Sequence, residues 1–232
     1  MILLRPSDTR GHMQHGWLET WHTFSFDRYY DPEWMQFGKL RVLNEDIIQP
    51  GSEFPDHPHR DMEIVTYVID GTLQHRDNMG NGSVIQAGDI QYMCAGTGVM
   101  HSERNPREAD ATHLYQIWIP PDQSGHTPAY DQKSIASAEK HNRFCLLISP
   151  DGADGSIAVH QDILMFATSL EADQALRYTA NQQRTYWVQV VSGKIRVNGM
   201  ELGHGAGAGI TMEEKITILA DKNSEFLLFD MV

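Results

Sequence analysis

Two short segments of the chain combine histidine and carboxylate side chains at a spacing of two residues. They are His57-x-His59 and His101-x-Glu103, in a chain that contains 12 histidines. Successive side chains of a β-strand point to opposite faces, so residues i and i+2 share a face. If both segments lie on strands of one barrel, three imidazoles and one carboxylate can meet inside it.

This donor set suits a divalent transition metal, because imidazole binds Fe, Zn, Cu and Ni and a carboxylate also accepts harder ions. Four protein ligands leave open positions on a metal that takes five or six, which is typical of catalysis or ligand binding. Glu63 has the parity of His57 and His59 and would share their face on an unbroken strand, which Pro58 makes uncertain. The alternative for either pair alone is surface or hydrogen-bonded histidines, whereas the two pairs together favour a metal site.

The elements that must position these residues are predicted to be β-strands. Short apolar or alternating runs end at Gly, Pro, Asn or Asp, as in Ile64–Ile69 and Leu114–Ile119, and again in Tyr186–Val191 and Lys215–Leu219. Many short strands separated by turn signals predict an all-β sandwich or barrel with few short helices.

A faint internal repeat predicts two such β units. Residues 68–71 (Val-Ile-Asp-Gly) resemble residues 190–193 (Val-Val-Ser-Gly), and each follows a strand-like run. The simplest interpretation is two barrels, at residues 1–135 and 140–232, joined within the Pro-, Gln- and Ser-rich stretch 120–140. One large sandwich is the alternative.

Composition excludes several classes of protein. The 232 residues are 41% hydrophobic, which argues against disorder, and the net charge of −13 makes a poor surface for nucleic acid. No run approaches the roughly 20 apolar residues of a membrane span, and the first apolar run ends after four residues, too short for a signal peptide. Two cysteines cannot form a disulfide framework, so we expect a reducing, cytoplasmic environment.

Several segments together resemble the pirin family of the cupin superfamily. The stretch from Gly51 through His57-x-His59 to Glu63 is similar to the first cupin motif, and Gly88 through His101 to Asn105 resembles the second. Residues 57–63 (His-Pro-His-Arg-Asp-Met-Glu) and 93–98 (Met-Cys-Ala-Gly-Thr-Gly) resemble pirins in particular, as do the aromatic segments between residues 11 and 32. The resemblance covers nearly the whole chain and is closest to bacterial pirins with quercetin 2,3-dioxygenase activity.

The resemblance implies a bicupin with one metal, bound in the first barrel by His57, His59, His101 and Glu103. Because the pirin pattern places the carboxylate after the third histidine, Glu63 becomes a supporting or pocket residue. Fe(II) is the first choice of metal, and Zn, Cu, Ni, Mn and Co stay open. The second barrel should lack metal ligands: a shift of 122 residues aligns His57 and His59 with Thr179 and Asn181, and His160 and His204 are isolated.

The family implies a dioxygenase that uses O2 to open the ring of flavonols such as quercetin, with release of carbon monoxide. Glu103 would bind the metal and also accept the proton of the substrate hydroxyl. The alternative is a metal-binding interaction protein or transcriptional co-regulator, since an acidic surface suits a protein partner better than direct contact with nucleic acid. A third possibility is a natural substrate other than a flavonol.

Overall fold

The computed structural model describes all 232 residues and confirms an all-β fold of two barrels. The first barrel and its flanking strands are β2 (Gly11–Gln14), β3 (Leu18–His22), β4 (Val42–Ile48), β5 (Glu53–His59), β6 (Glu63–Asp70), β7 (Thr72–Asp77), β8 (Gly82–Gln86), β9 (Asp89–Cys94), β10 (Val99–Arg104), β11 (Thr112–Ile119) and β12 (Ala129–Ser134). The second comprises β1 (Ile2–Arg5), β13 (Cys145–Ser149), β14 (Ile157–Ala158), β15 (Ile163–Leu170), β16 (Ala175–Thr179), β17 (Thr185–Ser192), β18 (Lys194–Val197), β19 (Met200–Gly203), β20 (Gly207–Thr211), β21 (Lys215–Ala220) and β22 (Ser224–Met231).

Helix is confined to one short α-helix, α1 (Ser137–Lys140), and two 3-10 turns at Ser7–Thr9 and Ala153–Gly155. None of these segments has the length and hydrophobicity that a membrane-crossing helix requires.

Each barrel consists of a seven-stranded and a four-stranded sheet in equivalent order. The large sheets run β12-β9-β6-β11-β4-β3-β2 and β1-β20-β17-β22-β15-β13-β14, and the small ones β5-β10-β7-β8 and β16-β21-β18-β19. The repeat seen in the sequence therefore corresponds to equivalent corners, where β6 passes into β7 and β17 into β18.

The first strand of the chain does not lie in the barrel that follows it. β1 pairs with β20, with Ile2 opposite Ile210 and Arg5 opposite Gly207. Ile2 and Leu4 also pack against the core of the second barrel. The predicted first unit, residues 1–135, thus includes a strand that the second sheet recruits through backbone pairing and apolar packing.

The two barrels share one buried apolar interface but have different interiors. A cluster of 25 buried residues joins them, and alternation along β6 sends Val65 and Tyr67 into it. The second barrel is filled by 15 buried apolar residues, whereas the first has only two small internal clusters of six and three. Polar side chains and a cavity occupy the rest of the first barrel.

A glycine at each repeated corner is required by backbone geometry. Gly71 and Gly193 have φ angles of 84° and 82°, and a Cβ at Gly71 would lie 2.7 Å from the carbonyl oxygen of Ala111. A Cβ at Gly193 would overlap the carbonyl oxygen of Asn223. Both a left-handed backbone and the close approach of another chain segment favour glycine here.

We expect Gly193→Ala to lower the melting temperature more than Gly199→Ala does. Gly199 has a similar φ of 85°, but a Cβ added there would meet no atom within 4 Å, so it reports the backbone cost alone, about 1–2 kcal/mol. Thermal unfolding followed by circular dichroism measures the difference. Equal melting temperatures for the two variants would contradict steric crowding at the corner.

Candidate metal centre

The predicted histidines lie on two paired strands of the small sheet. β10 runs antiparallel to β5, so that His101 lies opposite His57 and Val99 opposite His59. β5 is an edge strand, which explains why it tolerates Pro55 and Pro58, residues that cannot donate a ladder hydrogen bond.

A bulge in β5 keeps its inward side chains in phase with those of β10. From His101 to Glu103 the chain advances two residues, while the partner position moves three, from His57 to Phe54. The extra residue in β5 allows Phe54 and His57 to line the same cavity despite their odd spacing.

The three histidines converge on one centre. Ring centroids are 4.7 Å apart for His57 and His59, 4.4 Å for His57 and His101, and 4.8 Å for His59 and His101. One ring nitrogen from each lies within 4.8 Å of the other two. The backbone carbonyl of Pro55 is 2.8 Å from Nδ1 of His57, which leaves its Nε2 free to bind a metal.

One buried atom of His101 indicates whether a metal ion fits between the three histidines. Its Nε2 is buried and has no hydrogen-bond partner, although an unpaired buried polar atom costs about 1–3 kcal/mol. A cation bound between the three rings would satisfy that nitrogen, and three imidazoles are suitable ligands for a divalent transition metal. The residues present therefore fit such an ion.

Burial keeps two of these imidazoles uncharged, as metal binding requires. It lowers the pKa of His101 to about 2, with smaller contributions from the neighbouring His57, His59 and His75. It also lowers the pKa of His59 to about 4, assisted by His57. Both rings are therefore neutral at pH 7 and present lone pairs.

Glu103, the predicted fourth ligand, belongs to an adjoining cluster. One of its oxygens lies within 4.8 Å of nitrogens of His101 and His75, but Glu103 does not join the group of His57, His59 and His101. Gln116 donates from Nε2 to its Oε2 at 3.0 Å. Burial raises the pKa of Glu103 to about 7, and the charge of Asp46 adds to this effect.

His75 completes this region, although its sequence context did not single it out as a site residue. β7 pairs with β10, so that His75 lies opposite Glu103 and Asp77 opposite His101. Nδ1 of His75 is 3.4 Å from Nδ1 of His101, and its Nε2 is 3.2 Å from Oδ2 of Asp77. The chain Asp77–His75–His101 therefore orients the His101 ring from behind. The spacing His75-x-Asp77, which places both side chains on one face of a strand, is the sequence feature that could have identified His75.

Glu63 faces away from the cavity, because it starts the separate strand β6 after a turn rather than continuing β5. Tyr92 donates its hydroxyl to Glu63 at 2.9 Å, and the backbone N–H of His160 donates to it at 2.7 Å. Cys94 lies in the same cluster. Glu63 and His160 thus form a polar contact between the barrels, and Glu63 is not a pocket residue.

The histidines open into a cavity of about 490 Å³, within the range of small-molecule sites. Aromatic side chains form part of its lining: the ring of Trp118 lies edge-on to His59 at 4.8 Å and to Phe26 at 5.2 Å. Such walls suit a flat, largely apolar ligand.

The equivalent position in the second barrel is apolar. β21, the counterpart of β10, directs Ile216, Ile218 and Ala220 into the buried core. No group of three or more potential metal ligands occurs there. The different interiors follow from replacing inward histidines by aliphatic residues on the same scaffold.

Comparison with known proteins assigns the family. Residues 4–119 match the family model described as Pirin, and residues 146–231 match that of the quercetinase C-terminal cupin domain. A protein of Escherichia coli (strain K12) named quercetin 2,3-dioxygenase is 47% identical over 231 residues, which cover 100% of this chain and 99% of that protein. The chain belongs to the pirin family. The family resemblance and the fold predicted from the sequence are thereby confirmed.

Two solved structures support the same relationship for this pirin. The crystal structure of YhhW from Escherichia coli has a TM-score of 0.97 and 46% identity, covering 100% of this chain and 98% of the other. That of bacterial pirin YhhW from Escherichia coli in complex with nickel(II) has a TM-score of 0.95 and 47% identity, covering 100% and 99%. A similar pirin therefore binds a divalent transition metal.

We expect Glu103→Gln to stabilise the metal-free protein increasingly as pH rises from 5 to about 7, with no further gain up to pH 8. The folded-state pKa of Glu103 is about 7 against a usual value near 4.5, so between these pH values wild type loses stability, because the unfolded chain releases a proton that the folded protein keeps, and above pH 7 it must bury a charge. The neutral amide avoids that cost. Measuring the melting temperatures of both proteins across this range, with chelator present, gives the difference; a difference independent of pH would contradict the raised pKa.

Proposed function

We propose that this pirin is a metal-dependent dioxygenase that opens the ring of flavonols such as quercetin and releases carbon monoxide. The observation that carries the proposal is the convergence of His57, His59 and His101, one ring nitrogen of each within 4.8 Å of the others, at a cavity of suitable size, with Nε2 of His101 buried and unpaired. The name of the relative from Escherichia coli supports the choice of reaction.

His57, His59 and His101 would hold the metal, with Glu103 as the fourth ligand. A divalent transition metal bound there would provide open positions that bring the flavonol and O2 together and stabilise developing negative charge. Fe(II) is the metal we propose first. Ni is supported by the nickel(II) complex of the similar pirin.

Glu103 is the residue we assign to proton transfer. Its carboxyl group is buried beside the same cavity as the histidines, where it can reach a substrate hydroxyl bound there. Gln116 holds one carboxylate oxygen through a hydrogen bond of 3.0 Å. The other oxygen is 3.5 Å from the Thr66 hydroxyl, a distance too long for a strong hydrogen bond, and so is available to accept the phenolic proton.

The apolar part of the cavity would orient the substrate. Trp118, Phe26 and Phe54 provide ring faces and edges against which a planar flavonol can pack. Holding the reacting ring at the histidines in this way lowers the entropic cost of bringing substrate and O2 together.

We expect His57→Ala to abolish quercetin turnover and metal retention together. The matched control is His141→Ala, which removes an exposed histidine of the second half whose ring contacts Glu171 and Asn142. Metal content is measured by elemental analysis of protein prepared without a histidine tag. Quercetin loss, O2 uptake and carbon monoxide release are measured under air for each metal in turn.

Wild type that holds one metal per chain yet consumes neither quercetin nor O2 would overturn the dioxygenase proposal. That result would favour the alternative, a metal-binding protein that interacts with a protein partner. Turnover retained in His57→Ala would instead separate the activity from the histidine centre.

A further inference from the structure

A row of polar side chains crosses the inner face of the large sheet in the first barrel. Its members are opposite one another on successive strands: Gln91 of β9, Thr66 of β6, Gln116 of β11, Asn44 of β4 and His22 of β3. Four of the five are less than 4% exposed, and Gln116 is half-buried. Such a polar row inside a barrel contrasts with the aliphatic filling of the second barrel.

At the end near the histidines the row makes hydrogen bonds, although Oε1 of Gln91 is buried without one. Nε2 of Gln91 lies 3.4 Å from Nδ1 of His75, and Gln116 donates to Glu103 at 3.0 Å. These contacts explain why the row contains polar residues on β9, β6 and β11.

The far end of the row contains two further unpaired atoms. Oδ1 of Asn44 and Nδ1 of His22 are both buried without a hydrogen bond, and both residues line the cavity. Each unpaired atom costs about 1–3 kcal/mol, so neither is explained by stability of the empty protein. Asp46, opposite Thr20 in the next row, lines the same end and is 4% exposed.

This end of the cavity is rich in acceptors. Asn44 offers a carbonyl oxygen and Asp46 a carboxyl group. Burial lowers the pKa of His22 to about 4, with the Phe26 carbonyl offsetting part of the effect, so the ring is neutral and offers one lone pair. A hydroxyl group can donate to the Asn44 carbonyl oxygen and to the carboxyl group of Asp46, and can donate to or accept from the neutral ring of His22. A phosphate or carboxylate would instead meet the Asn44 oxygen and the carboxyl group of Asp46.

The spacing sets the size of the ligand. Neighbouring strands are about 4.8 Å apart, so Asn44 and His22 lie about 5 and 10 Å beyond Gln116, which holds Glu103. A single benzene ring is too short to reach both the histidine centre and the end of the cavity at Asn44 and His22. A compound of two or three aromatic rings with hydroxyl groups at opposite ends is long enough.

We propose that Asn44 and His22, with Asp46, form a subsite that binds phenolic hydroxyl groups on the part of the substrate remote from the metal. This inference rests on the proposed function for its choice of ligand. It assigns recognition of a polyhydroxylated aromatic compound to residues that take no part in holding the metal.

The test compares two ligands with metal-loaded protein under anaerobic conditions, where binding is measured without turnover. Quercetin carries hydroxyls on all its ring systems, whereas 3-hydroxyflavone carries only the one beside the ring carbonyl. Asn44→Leu is expected to weaken quercetin binding roughly 5- to 150-fold, the loss of one buried hydrogen bond, and to leave 3-hydroxyflavone binding unchanged. His22→Phe should show the same selectivity.

Two controls separate recognition from packing. Ile64→Val removes a methylene from another wall of the cavity and should affect both ligands alike. Because Oδ1 of Asn44 is unpaired, Asn44→Leu should not lower the melting temperature of the ligand-free protein.

An equal loss of both ligands in Asn44→Leu and His22→Phe would overturn the subsite, as would a lowered melting temperature of both variants without ligand selectivity. A second equivalent of metal that binds to wild type and is lost in Asp46→Asn would also overturn it, by showing that these acceptors hold a cation. Selective binding without turnover would leave the subsite standing and reject only the dioxygenase reaction.

Discussion

The antiparallel register between β5 and β10 is the constraint on which the proposed metal centre of this pirin depends. It places His101 opposite His57, and the bulge near Pro55 keeps Phe54 on the same side. A slip of one residue would turn the histidines of one strand out of the barrel, since side chains alternate between the two faces. The imidazoles would then no longer share a centre, and the cavity would have no position for a metal.

The same arrangement of strands supports two different interiors. Formation of a barrel requires that its strands pair, but it does not require one particular type of side chain at the centre. The second barrel is stabilised by aliphatic packing through its middle, whereas the first carries polar side chains around a cavity. The shared interface of 25 buried residues compensates by burying the outer face of the first barrel's large sheet. A stable partner therefore allows the first barrel to keep unpaired polar atoms inside.

Much of this arrangement could be predicted from local sequence. Alternation and turn residues indicated strands, and the spacing of His57-x-His59 and His101-x-Glu103 indicated a common face. The position of Glu63 was harder to predict. Parity along the chain predicts a shared face only within one strand, and a turn separates β5 from β6. The pairing of β1 with β20 could not be predicted locally, since it joins distant segments through backbone groups that carry no sequence signal.

The remaining features of the site depend on which strands become neighbours. His22 and Asn44 show no distinctive motif, and only the order of strands in the large sheet aligns them with Gln116. His75 likewise gains its role from the pairing of β7 with β10. Cross-strand register, rather than spacing along the chain, therefore determines which polar residues act together.

The position of β1 has a consequence for how the chain is made. During translation Ile2–Arg5 is synthesised about 200 residues before its partner strand Gly207–Thr211. The first barrel can therefore fold while β1 is still unpaired, before the second barrel has been synthesised. Completion of the second sheet thus joins an early and a late segment of the chain, and cannot precede the synthesis of β20.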